Sequence, residues 1–164
     1  MIGFIVIMII LSAQFQSIKQ PLIIGLAIPL SFIGVILGLM ITRVPFGIMA
    51  FFGVVALMGV VVNDAIVLIA YVNDLRKKGM RVREALIKAG RNRLRPIILT
   101  TVTTLAGMIP LSLNLAGGAE YWRPLAVSLI FGLAVSSFLT LIVVPVLYSI
   151  IESRAERKKL ERAA

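Results

Sequence analysis

The chain has 164 residues, of which 60% are hydrophobic, with a mean hydropathy of +1.05 and a formal net charge of +10. This composition excludes an ordinary soluble domain, in which about half of the residues are apolar. The sequence contains neither Cys nor His, so disulfides, thiolate metal sites and imidazole ligands are excluded as well. No nucleophile–base pair, metal-binding cluster or phosphate-binding loop is visible in the sequence, and we predict neither enzymatic activity nor a cofactor.

Long uncharged runs are the strongest signal in the sequence. A helix rises 1.5 Å per residue, so about 20 apolar residues cross a hydrocarbon core of ~30 Å. Four runs reach this length without a charged residue. We therefore predict an all-α fold, a polytopic membrane helix bundle with four full transmembrane helices. The four runs are residues 20–42, 44–63, 96–119 and 124–151.

The first predicted helix, about 1–14, is apolar but spans only about 20 Å, which is too short to cross a membrane. It also lacks the basic residues and the cleavage site of a secretory signal. We expect a truncated membrane helix, and hence a chain that is part of a longer protein. The second helix, about 21–42, contains Gly34 and Gly38 at a spacing that lets another helix approach closely. We expect Pro29 to kink it.

The third predicted helix covers about 46–74 and is followed by a short amphipathic helix near 80–90. In this short helix Val82, Leu86 and Ala89 recur at helical spacing, which favours a position along the cytoplasmic membrane surface. A calmodulin target or a lipid sensor has the same pattern, but the adjacent membrane helices favour the membrane-surface interpretation. The remaining predicted parts are helices at about 96–115 and 124–151, which complete the bundle over 1–151, and a basic cytoplasmic tail at 152–164.

The basic residues are unevenly distributed along the chain. Nine of the 17 Lys and Arg lie in 76–95 and five lie in 154–162, while Lys19 is alone in the first loop. Because basic residues concentrate in cytoplasmic loops, we predict that these three places face the cytoplasm and that Arg43 and Arg123 lie outside. Topology thus explains the net charge, and we predict the lipid bilayer, not nucleic acid, as the partner.

One acidic residue, Asp64, lies within the third helix, roughly 15 Å from its cytoplasmic end. An ionised Asp at that depth costs about 2.5–3.5 kcal/mol on insertion scales. Two interpretations remain open: a protonated Asp that bonds a neighbouring helix, or a group that binds and releases a proton. Thr100 lies two turns beyond Arg93 on one face of the fourth helix, and we expect that face and Asp64 to point into the bundle. Asp64, Arg93, Thr100 and the neighbouring Asn63 are the candidate site.

Three long stretches carry patterns that are specific in combination. They read "GVVVNDAIVLIAYVNDLRKKG", "REALIKAGRNRLRPIILTTVTTLAGMIPL" and "WRPLAVSLIFGLAVSSFLTLIVVPVLY". Together with "LSAQFQS" near the N-terminus, they resemble the C-terminal membrane portion of the inner-membrane permease subunit of resistance-nodulation-division (RND) efflux transporters. The resemblance runs from part of the eighth membrane helix of that family to the twelfth.

This resemblance implies a full subunit with twelve membrane helices in two repeats, of which the first repeat and the periplasmic porter region are absent here. Such subunits form homotrimers in the bacterial inner membrane with a periplasmic adaptor and an outer-membrane channel, and they exchange protons for drugs, metals or other substrates. Arg93 and Thr100 match the Arg and Thr of the family's proton relay. Asn63 stands where the drug pumps have a relay Lys, and Asp64 follows it.

Two other functions remain open at this point. A protein-export accessory subunit of the SecD and SecF type also uses six-helix units and a proton gradient. A non-transporting structural membrane protein would use Asp64 only to hold helices together. The segments "RLRPIILTT" and "WRPLA" favour the efflux transporter over both alternatives.

Overall fold

The protein is all-α over residues 2–15, 19–114 and 117–163, which are the residues that the computed structural model describes. Four stretches in it are long and apolar enough to span a membrane: Gln20–Thr42, Ile48–Lys77, Val82–Ser112 and Arg123–Glu152. The prediction of an all-α membrane helix bundle is therefore confirmed. The predicted limits at residues 1, 115 and 164 lie outside the described residues. The helices are α1 (Ile2–Phe15), α2 (Lys19–Gly25), α3 (Ala27–Thr42), α4 (Ile48–Lys77), α5 (Val82–Ser112) and α6 (Arg123–Ala163).

The second predicted helix is divided into α2 and α3 by a break at Leu26. Pro29 explains the position of this break, because proline has no backbone N–H to donate to the carbonyl of Gly25, four residues earlier. The chain nevertheless stays helical on both sides, and the Leu26 N–H donates to the Leu22 carbonyl at 3.2 Å. Together, α2 and α3 thus form one interrupted membrane span.

The helix α5 differs from the sequence prediction, because the residues near 80–90 are its first turns rather than a separate helix. Glycine often ends a helix, but Gly90 lies inside α5 and does not have the positive φ of a helix end. Pro96 also lies inside the helix. The apolar face of these first turns packs against α4 and α6. Tertiary packing therefore keeps the helix continuous where local signals favour an end. The buried residues on this face are Val82, Ala85 and Ala89.

The last helix, α6, also extends further than its apolar run, since it continues past residue 151 to Ala163. The sequence predicted a tail from 152 onward without assigning it helical structure. These residues include Glu, Arg, Lys, Leu and Ala, all of which favour helix, and neither Gly nor Pro interrupts them. The apolar part of α6 ends near Glu152, so the continuation is a polar extension of the membrane helix.

The helix α6 lies at the centre of the bundle, where it packs against α2, α3, α4 and α5. Two clusters of buried apolar side chains surround it. One cluster includes Ile69 of α4 and Tyr148 of α6, and it lies toward the end of the bundle that carries residues 76–95, which we call the basic end. The other cluster includes Leu57 of α4 and Leu133 of α6 and lies toward the opposite end.

Glycines allow α3 and α6 to approach closely, as the spacing of Gly34 and Gly38 predicted. A Cβ added at Gly34 would lie 2.5 Å from the carbonyl oxygen of Phe131 and 2.8 Å from the Cβ of Val135. A Cβ at Gly132 of α6 would meet the side chain of Leu57 on α4 and would lie 2.9 Å from Val35 Cγ2 on α3. Since real Cβ atoms do not approach other atoms so closely, the packing of α6 depends on the missing side chains at these positions.

The two connections at the opposite end from residues 76–95 contain residues with left-handed backbone conformation. Arg43 ends α3 with a φ of 53°, and Asn114 follows α5 with a φ of 54°. The Asn114 side chain accepts a hydrogen bond from the Ala119 N–H at 2.8 Å, which closes the second turn. Gly117 and Gly118 also have positive φ, which glycine adopts readily, and they reverse the chain before α6.

Candidate functional site

Asp64 is half-buried in the middle of α4 and borders a cavity between α4, α5 and α6. The cavity volume is about 10 Å³, on the scale of a single water molecule. Asp64 is the only ionisable side chain in its lining, and it makes no side-chain hydrogen bond or ion pair with any described residue. The lining consists of Val61, Asp64 and Leu68 from α4, Ile97 from α5, and Ser136, Ser137, Thr140 and Leu141 from α6.

Three hydroxyl side chains of α6 line the wall of the cavity that faces Asp64's helix. Ser136 and Thr140 share one face of α6 because residues four positions apart are neighbours on a helix, and Ser137 lines the cavity beside them. The Ser136 hydroxyl donates to the Leu133 carbonyl at 3.2 Å, and the Ser137 hydroxyl lies 3.1 Å from that of Thr101 on α5. A carboxyl group beside such hydroxyls can hold a proton and exchange hydrogen bonds with its surroundings.

Asn63 and Thr100 do not point into this cavity. Asn63 is exposed, because successive residues on a helix are about 100° apart and its neighbour Asp64 faces α6. Thr100 is also exposed, and its hydroxyl lies within bonding distance of the carbonyls of Pro96 (3.1 Å) and Ile97 (2.9 Å). The sequence placed Thr100 toward the interior, but the inward face of α5 carries Thr101 instead.

Arg93 lies at the basic end of the bundle, away from Asp64. Its guanidinium carbon is 4.7 Å from the ring centre of Tyr71, and the neighbouring Asn92 donates from Nδ2 to the Tyr71 hydroxyl at 2.9 Å. Tyr71 is two turns beyond Asp64 on α4, which is roughly 10 Å along the helix. Of the four predicted site residues, the structure therefore places Asp64 inside this bundle and distributes the other three over its surface and its basic end.

A polar network at the basic end was not predicted from the sequence. The amides of Gln20 on α2 and Asn73 on α4 form two mutual hydrogen bonds of 2.8 and 3.2 Å. The fully buried Tyr148 of α6 donates its hydroxyl to the Asn73 Oδ1 at 2.7 Å. Arg76 and Glu152 form an ion pair of 2.7 Å between α4 and α6 beside it. The sequence does contain a signal for this network, because isolated polar residues lie near the ends of three apolar helices.

Asn73 is the residue that joins the three helices in this network, so its loss should weaken their packing. We expect Asn73→Ala to lower the free energy of unfolding by about 1–3 kcal/mol, because it leaves the Gln20 amide without its partner. Asn92→Ala is the matched control, since Asn92 makes an exposed bond to Tyr71 on the same end of the bundle. Thermal unfolding in detergent measures both, and equal midpoints for the two variants would contradict the role of Asn73.

The comparison with known families covers most of the chain. Residues 1–152 match the AcrB/AcrD/AcrF family. The chain is 35% identical over 154 residues to the swarming motility protein SwrC of Bacillus subtilis (strain 168) and 34% identical over 155 residues to the cobalt-zinc-cadmium resistance protein CzcA of Cupriavidus metallidurans. These alignments cover 93% and 94% of this chain but only 15% of each relative.

A solved structure and a third sequence relative give the same result. The crystal structure of a heavy metal efflux pump superposes with a TM-score of 0.83 at 31% identity, covering 92% of this chain and 15% of the pump. The multidrug resistance protein MdtC of Erwinia tasmaniensis is also 35% identical over 152 residues, which is 92% of this chain and 15% of MdtC. Sequence and backbone thus agree along nearly the whole described bundle, and the chain belongs to the AcrB/AcrD/AcrF family of RND efflux transporters.

Proposed function

We propose that this chain forms part of the membrane region of a proton-driven RND exporter, in which Asp64 binds and releases a proton as substrate is exported. The observation that carries the proposal is a lone carboxyl group at membrane depth beside a hydroxyl-lined cavity. Lipid-embedded acids are costly and mark proton or substrate pathways more often than they serve packing alone. Family membership favours this function over a protein-export subunit of the SecD and SecF type, and over a non-transporting structural membrane protein.

The surface of the bundle favours contacts with further parts of a transporter. Asn63 is exposed on α4, where lipid could offer its amide no hydrogen bond, and Thr100 is exposed on the neighbouring α5. We infer that this face meets membrane helices outside the chain, and that Asn63, Thr100 and Arg93 take part in the relay there. The chain spans 15% of the length of the relatives that it matches. A homotrimer in the bacterial inner membrane, with a periplasmic adaptor and an outer-membrane channel, completes the proposal.

Relatives of this chain carry names that refer to multidrug resistance, to cobalt, zinc and cadmium resistance, and to swarming motility. The cavity beside Asp64 has the size of a water molecule rather than of a drug. We therefore propose that the bundle supplies the proton step and that substrates bind elsewhere in the transporter. Drugs, metal ions and lipids all remain within the proposed substrate range.

The proposal can be tested by reconstituting a transporter that contains this segment into liposomes loaded with a pH-sensitive dye. Zn²⁺ and a fluorescent cationic dye serve as two substrate probes. We expect at least one probe to move in exchange for protons, and we expect a protonophore that collapses the gradient to stop this movement. Transport of a probe that continues at the same rate without a proton gradient would contradict a proton-driven exporter.

A further inference from the structure

A buried hydroxyl beside Asp64 has no hydrogen-bond partner among the described residues. Thr140 lies on α6, is only 4% exposed and lines the same cavity as Asp64, yet its Oγ1 is unpaired. Threonine in a membrane helix usually donates to the carbonyl four residues earlier. Thr42, Thr103 and Thr104 all do so in this bundle. The exception at Thr140 therefore needs a partner that the described residues do not supply.

The cavity has the size and the chemistry to supply that partner. A bound water needs room for about one water molecule and two to four polar partners. The volume of about 10 Å³ meets the first condition. Asp64 and Thr140 meet the second, and Ser136, which uses its hydrogen on the Leu133 carbonyl, still has free lone pairs. If the Thr140 hydroxyl and the Asp64 carboxyl had no hydrogen-bond partner, each group would lower the stability of the fold.

We propose that the cavity between α4, α5 and α6 is a water-binding site, in which one water bridges the Asp64 carboxyl group and the Thr140 hydroxyl. Thr140 thereby acts as a positioning residue for Asp64, because it holds the water that orients the carboxyl group. The bridge gives Asp64 a partner within its own bundle, on the side away from the exposed Asn63. The role of the water in transport rests on the proposed function, whereas its presence does not.

Infrared difference spectroscopy of the lipid-embedded transporter in ordinary water and in H₂¹⁸O tests the site directly. We expect a sharp O–H stretch that shifts in H₂¹⁸O, and a carboxyl C=O stretch that Asp64→Asn removes. Thr140→Val keeps the shape of the side chain but removes the hydroxyl, so it should abolish the water band and move the C=O stretch to higher frequency. Thr140→Ser restores the hydroxyl and should leave both bands in place.

Ser128→Ala is the matched control, since Ser128 is another buried, unpaired hydroxyl of α6 that lies outside this cavity. It should leave both bands unchanged. Bands that survive in Thr140→Val, or that also disappear in Ser128→Ala, would overturn the water site. The outcome is separate from the proposed function: an Asp64→Asn variant with full transport, together with the expected spectra, would remove the transport role and leave the water site standing.

Discussion

Replacing Asp64 by Asn is expected to abolish proton-coupled efflux while the protein still inserts into the membrane. The amide preserves the size and the hydrogen-bonding capacity of the side chain, but it cannot bind and release a proton near neutral pH. It also avoids the cost of about 2.5–3.5 kcal/mol that an ionised Asp incurs at the centre of a membrane helix. We expect efflux to fall by more than about tenfold, which corresponds to a barrier increase above ~1.4 kcal/mol.

The same change at Asp74 is the matched control, because Asp74 lies on the same helix but is exposed at the basic end. Asp74→Asn should transport normally at equal protein level. Asp64→Glu retains a titratable carboxyl group, and we expect it to keep partial efflux with a displaced pH optimum. If Asp64→Asn transports at the wild-type rate with the wild-type pH dependence, Asp64 only holds helices together and the proton passes through other residues.

Enlarging Gly132 should cause a large loss of stability in the bundle. Gly132 lies where α3, α4 and α6 meet, and an added Cβ would clash with Leu57 and lie 2.9 Å from Val35 Cγ2. We expect Gly132→Val to lower the free energy of unfolding by about 3 kcal/mol, at the upper end of typical overpacking costs. Thermal unfolding of purified protein in detergent measures this change.

A second substitution separates this clash from a general intolerance of α6. Leu57→Ala removes the side chain that the new group meets, so the double variant should be more stable than the sum of the two single effects predicts. Gly34→Ala should not be rescued by trimming a side chain, because its nearest contact is the backbone carbonyl of Phe131. Gly107→Ala is the control: a Cβ there meets nothing within 4 Å, and the change should be neutral or stabilising. Additive effects in the double variant would contradict the clash.

The parts of the fold that depend on lipid were readable from the sequence. The length of each charge-free run matches the thickness of the hydrocarbon core. The depth of Asp64 follows from counting residues along α4. The rotation of each helix about its axis was not readable in the same way. Thr100 and Thr101 are adjacent hydroxyl residues, and only the packing of α5 against α6 decides which of them faces inward. The continuity of α5 through Gly90 was not readable either. It depends on the packing of Ala85 and Ala89 against other helices, which the local sequence does not show.

The position of α6 has a consequence for biosynthesis. This helix contacts four others and supplies the hydroxyl wall beside Asp64, yet it is the last of the six to leave the ribosome. Chains begin to fold from the N-terminus during synthesis, so α3, α4 and α5 enter the membrane before the helix that joins them exists. Until residues 123–152 follow, the close-packing glycines of α3 and α4 face lipid or the insertion machinery. The packing of α3, α4 and α5 around α6 therefore takes place only after α6 has been translated.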